Sequence, residues 1–309
     1  MGNITSATII KRVILLSQKL KGYLFLFLTI FLFSTFEIVG HTLTSIDTAF
    51  VNAFRFFVGG LVLLPFALYH MKKEGTKLSG KDYLWLFLLG LLNAVFSMNL
   101  LQFSLKYSPA STSAILFSTN PIFVALFSSL LLREKPTPNQ IIGILLGILG
   151  SFFVTGGMQT DNIIGPLLSL GAAALFGLYT VAGKNLTVKL GSLTVNSISF
   201  LFGGAVNWLF LFVNNQSVWQ INANNYLRLL YLGVFVTGLA YYAFFTGLSV
   251  LDTTAGSSVF FAKPVFASIL AWIFLDEPIT WNKAVGIVII LIAMRFVMSS
   301  SKSKQSEEA

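Results

Sequence analysis

The sequence has no cysteine and few charged residues. Because none of its 309 residues is cysteine, a disulfide framework, a Cys-ligated zinc site and thiol chemistry are excluded. Only 10% of the residues are charged and 55% are hydrophobic, whereas a typical water-soluble domain has about 25% charged residues. The mean hydropathy is +0.81. This composition predicts an all-α membrane protein that crosses the lipid bilayer many times.

Motifs for cofactors and catalysis are also missing. No G-x-x-x-x-G-K-S/T phosphate-binding loop is present. The two histidines, His41 and His70, lie near predicted helix ends that are too far apart to share a metal. An integral membrane enzyme is therefore the weaker alternative, and we predict no cofactor and no metal site. The net charge of +9 does not indicate a nucleic-acid partner, because most basic residues lie in short loops between apolar runs.

Long apolar runs are what the sequence has in abundance. Ten of them approach or exceed the ~20 residues that a membrane-spanning helix needs. They are residues 22–40, 47–69, 82–105, 109–132, 138–157, 163–186, 193–213, 226–249, 253–275 and 280–298. Residues 1–21 are expected to form an amphipathic segment and residues 299–309 a polar tail. Lys and Arg concentrate in the loops on one side, which predicts that both termini are cytoplasmic.

The first five spans and the last five repeat each other in sequence. The third to fifth spans align with the eighth to tenth without a gap, and this alignment places Pro121 on Pro264. Further matched pairs are Gly90 with Gly233, Asn52 with Asn196, and Gly59-Gly60 with Gly203-Gly204. Residues 22–157 and 163–298 are therefore predicted to be two five-helix repeats. Because five is odd, the second repeat enters the membrane with inverted topology, an arrangement that secondary transporters use to build a site at the repeat interface.

A lysine lies in the middle of the ninth predicted span. Lys263 directly precedes Pro264, about 15 Å along the helix from the start of the span. A charged residue at that depth is costly and usually functional. Its repeat-mate Asn120 directly precedes Pro121. We interpret both prolines as helix breaks, with Lys263 attracting a substrate carboxylate and Asn120 hydrogen-bonding substrate near the midplane. The alternative is that Lys263 pairs internally with an acid.

Two further charges lie inside predicted spans. Glu37 is near the end of the first span and Arg55 is about two turns into the second, at a similar depth. Since an unpaired charge in a membrane is costly, we predict that Glu37 and Arg55 form an internal ion pair. The functional alternative makes Glu37 a proton-coupling acid that exchanges partners between Arg55 and Lys263.

Three more side chains are candidates for the cavity wall. Asn99 and Tyr242 are repeat-mates in the third and eighth spans, and Tyr241 adjoins Tyr242. A tyrosine hydroxyl at mid-helix needs a partner. We predict that Asn99 and one or both tyrosines bind substrate. Packing against neighbouring helices is the alternative.

Two segments resemble a known family. They are SPASTSAILFSTNPIFVALFSSLLLREKPTPNQIIGILLGILG, residues 108–150, and LDTTAGSSVFFAKPVFASILAWIFLDEPITWNKAVGIVIILIA, residues 251–293. Each has a mid-helix proline, an acidic residue that closes the span, a short polar turn and a glycine-bearing last helix. In these features the chain resembles the EamA family of the drug/metabolite transporter superfamily. The resemblance implies ten helices around a central cavity, outward movement of metabolites such as amino acids, and the bacterial inner membrane.

The leading hypothesis is a secondary exporter of small polar metabolites, with amino acids or related carboxylates as the best class. It would work by alternating access between the two repeats, with proton coupling as one mode, as a monomer or a homodimer. One alternative is a multidrug exporter of organic cations, which predicts acids in the cavity. Another is a flippase for lipids or lipid-linked sugars, which needs a lateral opening.

Overall fold

The computed structural model describes residues 6–132, 136–154, 163–214, 222–250, 256, 260 and 262–307. All regular structure in these ranges is helical. The α-helices are α1 Ser6–His41, α2 Thr48–Glu74, α3 Gly80–Gly90, α4 Met98–Ser104, α5 Ala110–Phe117, α6 Asn120–Phe127, α7 Pro138–Val154, α8 Ile164–Leu190, α9 Ser192–Val213, α10 Ala223–Tyr231, α11 Ala240–Val250, α12 Lys263–Leu275 and α13 Trp281–Glu307. Three π-helical segments are π1 Leu91–Ser97, π2 Ser128–Leu132 and π3 Leu232–Leu239.

Many of these helices are long and apolar enough to cross a membrane. Seven helical segments in the described ranges meet that criterion by length and composition: Leu20–His41, Thr48–Glu74, Gly80–Ser104, Ala110–Leu132, Ile164–Leu190, Ser192–Val213 and Ala223–Val250. Three shorter apolar helices are Pro138–Gly150, Lys263–Leu275 and Ala284–Ala293. The first helix runs unbroken through the predicted boundary at residue 21, and the last continues past residue 298. Seven spans are thus observed by this criterion where the sequence predicts ten.

A proline lies in the first turn of α6 and in that of α12. Helix α5 ends at Phe117, and α6 begins at Asn120 with Pro121 in its first turn. In the second half α12 begins at Lys263, with Pro264 in its first turn. A proline is tolerated there because its missing N–H would have no intrahelical acceptor. Most of the residues between 251 and 261, where the ninth span is predicted to begin, lie outside the described ranges.

Two π-helical segments interrupt the third and eighth predicted spans at nearly matching places. Segment π1 joins α3 to α4, and π3 joins α10 to α11. A π-helical turn inserts an extra residue into the helix and often marks a functional site. The side chains that follow each segment are therefore rotated relative to those of a regular helix, which decides whether Tyr241 or Tyr242 faces the protein centre.

Matched glycines form equivalent close contacts between the two halves. A Cβ added to Gly203 on α9 would lie 2.5 Å from the carbonyl oxygen of Gly90 on α3. A Cβ added to Gly59 on α2 would lie 2.9 Å from the carbonyl oxygen of Gly233 in π3. Since Gly59 matches Gly203 and Gly90 matches Gly233, each half supplies one partner to each contact. Only glycine permits so close an approach of two helix backbones.

Helix packing places a polar and aromatic centre between the halves. Helix α2 packs along α9, α7 packs along α13, and α1 packs against both α11 and α12. The main core contains many phenylalanines, which contact Tyr241 from several helices. Leu24, Phe27 and Phe66 are among the large apolar side chains that are more than half exposed on the outside. That outer surface suits contact with lipid chains.

Candidate functional site

The central cavity lies between the first helices of the chain and α11–α12. Its volume is about 20 Å³, which is enough for roughly one water molecule. Its walls are mostly aromatic or apolar, with two basic side chains and one phenolic hydroxyl. They comprise Phe33, Phe36, Arg55, Met98, Leu101, Phe117, Phe176, Val236, Tyr241 and Lys263. A metabolite fits only if the helices separate, so this conformation is closed around the centre.

Lys263 is held by a buried acid. Its ammonium group donates a hydrogen bond to Oε1 of Glu37, and both side chains are almost completely buried. The ammonium also lies 4.7 Å from the ring centroid of Phe117. Each charge offsets the desolvation cost of the other. The second carboxylate oxygen of Glu37 has no hydrogen-bond partner among the described residues, so it remains available as an acceptor.

The partner of Glu37 differs from the one that the sequence predicts. Depth along the spans favours Arg55, but in the structure Glu37 pairs with Lys263. The reason is the direction in which the side chain points. Ser34, one turn before Glu37 on α1, donates to the carbonyl oxygen of Lys263 at 3.3 Å. This face of α1 therefore lies against the start of α12, which brings Glu37 to the lysine.

Arg55 is a buried cation that forms no ion pair with any described residue, although Glu37 attracts it from a longer distance. Its side chain is 1% exposed, and its Nε and Nη2 atoms have no hydrogen-bond partner in the part of the chain that the structure describes. The guanidinium carbon lies 4.3 Å from the ring centroid of Phe36 and 4.7 Å from that of Phe56. A cation–π contact contributes about 0.5–2 kcal/mol, but it leaves the N–H donors unsatisfied. The guanidinium faces the central cavity with donors to spare.

Tyr241 lines the central cavity, whereas Tyr242 does not. The hydroxyl of Tyr241 donates to Oδ1 of Asn93 at 3.3 Å, and its carbonyl accepts from Nδ2 of Asn196 at 3.2 Å. Tyr242 instead packs edge-on against Phe25 and lines a separate cavity. Of the two adjacent tyrosines, the structure thus brings only Tyr241 together with Lys263 and Arg55.

Asn120 lies just behind the cavity wall. It is fully buried, and its Nδ2 donates to the carbonyl oxygen of Phe117 at 3.0 Å. Its Oδ1 has no hydrogen-bond partner within the described ranges. Because Phe117 forms part of the wall, Asn120 reaches the cavity only through that residue. Its role as a direct substrate ligand stays a prediction.

Asn99 belongs to a cluster of amides away from the centre. It accepts from Nδ2 of Asn52 at 2.5 Å and donates to Oδ1 of Asn207 at 2.9 Å. The cluster borders a groove of about 530 Å³, whose wall includes the exposed rings of Phe96 and Phe210. These bonds join α2, α4 and α9, so the geometry favours the packing interpretation of Asn99.

The aromatic wall is the part of the site that sequence reasoning missed. Phe33 stacks with Phe260 at 5.7 Å between ring centroids, and Phe117 lies 5.2 Å from Phe176. With 31 phenylalanines in the chain, no composition signal singles these out. The one local signal is spacing, since Phe33 lies one helical turn before Glu37 on α1.

The described residues contain no group of three or more His, Cys, Asp or Glu side chains that could hold a metal ion. The sequence predicts no metal site, and that expectation stands as a prediction. The side chains that line the central cavity offer binding by charge, hydrogen bonding and aromatic contact.

Comparison with known proteins identifies the family. The model of the EamA-like transporter family matches twice, over residues 20–156 and 163–299. An uncharacterized transporter of Clostridium kluyveri is 35% identical over 295 residues, covering 91% of this chain and 94% of that protein. The uncharacterized transporter YvbV of Bacillus subtilis is 28% identical over 261 residues, covering 82% of this chain and 83% of its own.

A solved structure agrees with the fold. A crystal structure of a protein at 20% identity superposes with a TM-score of 0.72, covering 91% of this chain and 98% of that one. The two family matches together span nearly the whole chain. This chain therefore belongs to the EamA-like transporter family and is a multi-pass membrane transporter.

Proposed function

We propose that this protein is a secondary transporter that exports small carboxylates, such as amino acids, by alternating access. Ten spans in two inverted five-helix repeats would build the central cavity, with both termini in the cytoplasm. Seven long helices and three shorter apolar ones lie at the ten predicted positions, which supports this arrangement. The contact of Gly59 with Gly233 is equivalent to the contact of Gly203 with Gly90. This equivalence supports two matching repeats.

The observation that carries the substrate class is the unpaired guanidinium of Arg55. Among the described residues, Arg55 and Lys263 face the cavity, and the adjacent acid Glu37 pairs with the lysine. The described side chains of the site therefore carry one positive charge more than they balance. Burying a charge without a partner is costly. A substrate carboxylate would accept two parallel N–H bonds from the guanidinium and balance that charge.

We propose a different ligand for the substrate carboxylate from the one that the sequence favours. Lys263 is the residue that the sequence favours as carboxylate ligand, but Glu37 occupies its ammonium group. We propose that Arg55 binds the substrate carboxylate and that Lys263 links the two repeats through its ion pair with Glu37. The ion pair joins α1 of the first repeat to α12 of the second, so it must rearrange or move as a unit when the halves separate. A proton on Glu37 would release Lys263, which is how proton coupling would act here.

A second candidate is a flippase for lipids or lipid-linked sugars. The groove beside Asn99 favours it, because about 530 Å³ of space lies between exposed phenylalanines on the outer surface. A multidrug exporter of organic cations is less well supported. It requires a free acid in the cavity, whereas Glu37 is engaged by a lysine.

The test is flux into proteoliposomes. Purified protein is reconstituted and offered labelled amino acids, small carboxylates without an amino group and organic cations, beside a fluorescent-lipid scrambling assay. We expect flux of a carboxylate that is lost in Arg55→Met and kept in Arg295→Met, a matched change of an exposed arginine on α13. Flux of cations alone, or scrambling alone, would overturn the proposal.

A further inference from the structure

A groove lies on the outside of the helix bundle, apart from the central cavity. Its volume is about 360 Å³. The last turns of α1, helix α10 and the last turns of α12 form its walls. Six of the lining residues, which we call the α10 groove, are Thr35, Ile38, Arg228, Tyr231, Leu270 and Phe274. The function proposed above gives this groove no role.

The α12 wall of the groove is apolar and faces outward. Phe274 is 68% exposed, and its neighbours Trp272 and Ile273 are more than half exposed. Ile38 adds a buried aliphatic side chain from α1. In a chain that crosses the bilayer, this surface meets lipid. A small polar metabolite has too little apolar surface to cover such a wall, whereas a hydrocarbon chain covers it.

The hydroxyl groups of the groove already donate within the protein. Thr35 Oγ1 donates to the carbonyl oxygen of Leu32 at 2.7 Å. The phenol of Tyr231 lies 2.8 Å from Thr35 Oγ1, so the phenol is the donor of that bond. Thr42, which also lines the groove, donates to the carbonyl oxygen of Val39 at 2.7 Å. These three hydroxyls therefore have no proton left for a ligand.

The donor that remains in the described lining is Arg228. Asn225 accepts from its Nη1 at 3.3 Å, and a guanidinium has five N–H groups. Arg228 forms no ion pair with a described residue. No carboxylate side chain is among the described residues that line the groove, and the exposed Asp276 lies just beyond it at the end of α12. The groove thus offers an anion a fork of charged donors.

The position of Arg228 along its helix suits a lipid headgroup. It lies five residues after the start of α10, which is about 7.5 Å along the helix axis. In the proposed orientation this end of α10 is on the side opposite to the termini. Basic residues are few on that side, so the preference of Lys and Arg for cytoplasmic loops does not account for Arg228.

We propose that the α10 groove binds a glycerophospholipid of the surrounding bilayer, with its phosphate on Arg228 and one acyl chain along Leu270 and Phe274. The phosphate accepts parallel N–H bonds from the guanidinium, and the chain covers the apolar wall. The lipid lies between α1 of the first repeat and α12 of the second, and it stays there as a bound partner. Its binding does not depend on which substrate the centre takes.

Native mass spectrometry of the full chain, purified and delipidated in detergent, counts the bound lipids. The probes are dioleoylphosphatidylglycerol and dioleoylglycerol, which has the same two chains and no phosphate. We expect one site that binds the phospholipid about tenfold more tightly than dioleoylglycerol. Arg228→Gln weakens binding of the phospholipid about five- to tenfold. Arg295→Gln, a matched change of an exposed arginine on α13, leaves it unchanged.

A second pair of variants tests the apolar half of the groove. Leu270→Trp places a larger side chain where the acyl chain would lie, and we expect it to weaken binding of the phospholipid about fivefold. Leu167→Trp is the control, because this leucine of α8 is 57% exposed and does not line the groove. The control should bind the phospholipid as the unmodified protein does.

Four results would overturn the proposal. Equal binding of the two lipids, or phospholipid binding that Arg228→Gln leaves unchanged, removes the phosphate from Arg228. Binding that is sensitive to Arg228→Gln but not to Leu270→Trp leaves the acyl chain outside the groove. Displacement of the lipid by millimolar inorganic phosphate or acetate makes the ligand a free anion. Scrambling of fluorescent phosphatidylglycerol in proteoliposomes that Arg228→Gln abolishes makes the lipid a transported molecule.

Discussion

Glu37 and Lys263 form a fully buried ion pair that joins α1 to the start of α12. The two residues are 226 positions apart in sequence, and they come from different halves of the chain. Arg55, a second buried cation among the described residues, forms no ion pair there and is attracted by Glu37 only from a longer distance. This arrangement of charges is the reason that we propose an anionic substrate.

Breaking the pair from either side should destabilise the protein. Glu37→Gln or Lys263→Met leaves an uncompensated buried charge, which costs about 3–5 kcal/mol in the free energy of unfolding. The double variant Glu37→Gln/Lys263→Met should recover most of that loss. Thermal unfolding of the four proteins in nanodiscs gives the comparison as a double-mutant cycle. Single variants as stable as the unmodified protein would show that the pair does not exist.

Removing Arg55 should cost little stability. Arg55→Met deletes an unpaired charge while an apolar stem keeps contact with Phe36 and Phe56. We expect the ligand-free unfolding free energy to fall by less than about 1.5 kcal/mol, because the substitution also removes the cost of burying an unpaired charge. Thermal unfolding without ligand provides the measurement. A loss as large as that of Lys263→Met would mean that Arg55 has an internal anion partner.

Substituting alanine for glycine at either of the two matched contacts should lower the stability by a similar amount. Gly203→Ala places a methyl group against the backbone of Gly90, and Gly59→Ala places one against Gly233. Overpacking of this kind costs about 1–3 kcal/mol. Gly80→Ala is the control, because nothing lies within 4 Å of its added Cβ. Folded yield and unfolding temperature test the effect. If only one of the two buried sites were sensitive, the equivalence of the repeats would be in doubt.

The absence of native cysteine allows a direct test of topology. Lys77→Cys and Lys106→Cys place single thiols at the two ends of the third predicted span. With both termini cytoplasmic, a membrane-impermeant maleimide added to intact cells should label Lys106→Cys and spare Lys77→Cys. Permeabilised cells should show labelling of both. The reverse pattern in intact cells would invert the proposed orientation.

The sequence shows how far along each span the prolines and charged residues lie, but not the face of the helix on which they lie. The prolines mark where α6 and α12 begin, since the first turn is where a helix tolerates proline best. The charges stand out because so few occur in apolar runs. The face on which each charge lies depends on tertiary packing, so the choice of Lys263 over Arg55 as the partner of Glu37 did not follow from spacing.

The orientation of the two adjacent tyrosines and the partners of three asparagines also depend on tertiary packing, which the sequence does not show. The π-helical segment lies directly before α11, where Tyr241 lines the central cavity and Tyr242 lines a separate one. The amides of Asn52, Asn99 and Asn207 satisfy one another across three helices. A sequence shows each of these side chains as polar and buried. It does not show whether their partner is substrate or protein.

Carboxylate binding at Arg55 is tested most directly by equilibrium binding of small carboxylates to the purified protein, measured as a shift in unfolding temperature. The panel is applied to the unmodified protein, to Arg55→Met and to Arg295→Met. We expect a carboxylate to stabilise the unmodified protein and Arg295→Met, with the greater part of the shift lost in Arg55→Met. A carboxylate that stabilises Arg55→Met as strongly as the unmodified protein would contradict it.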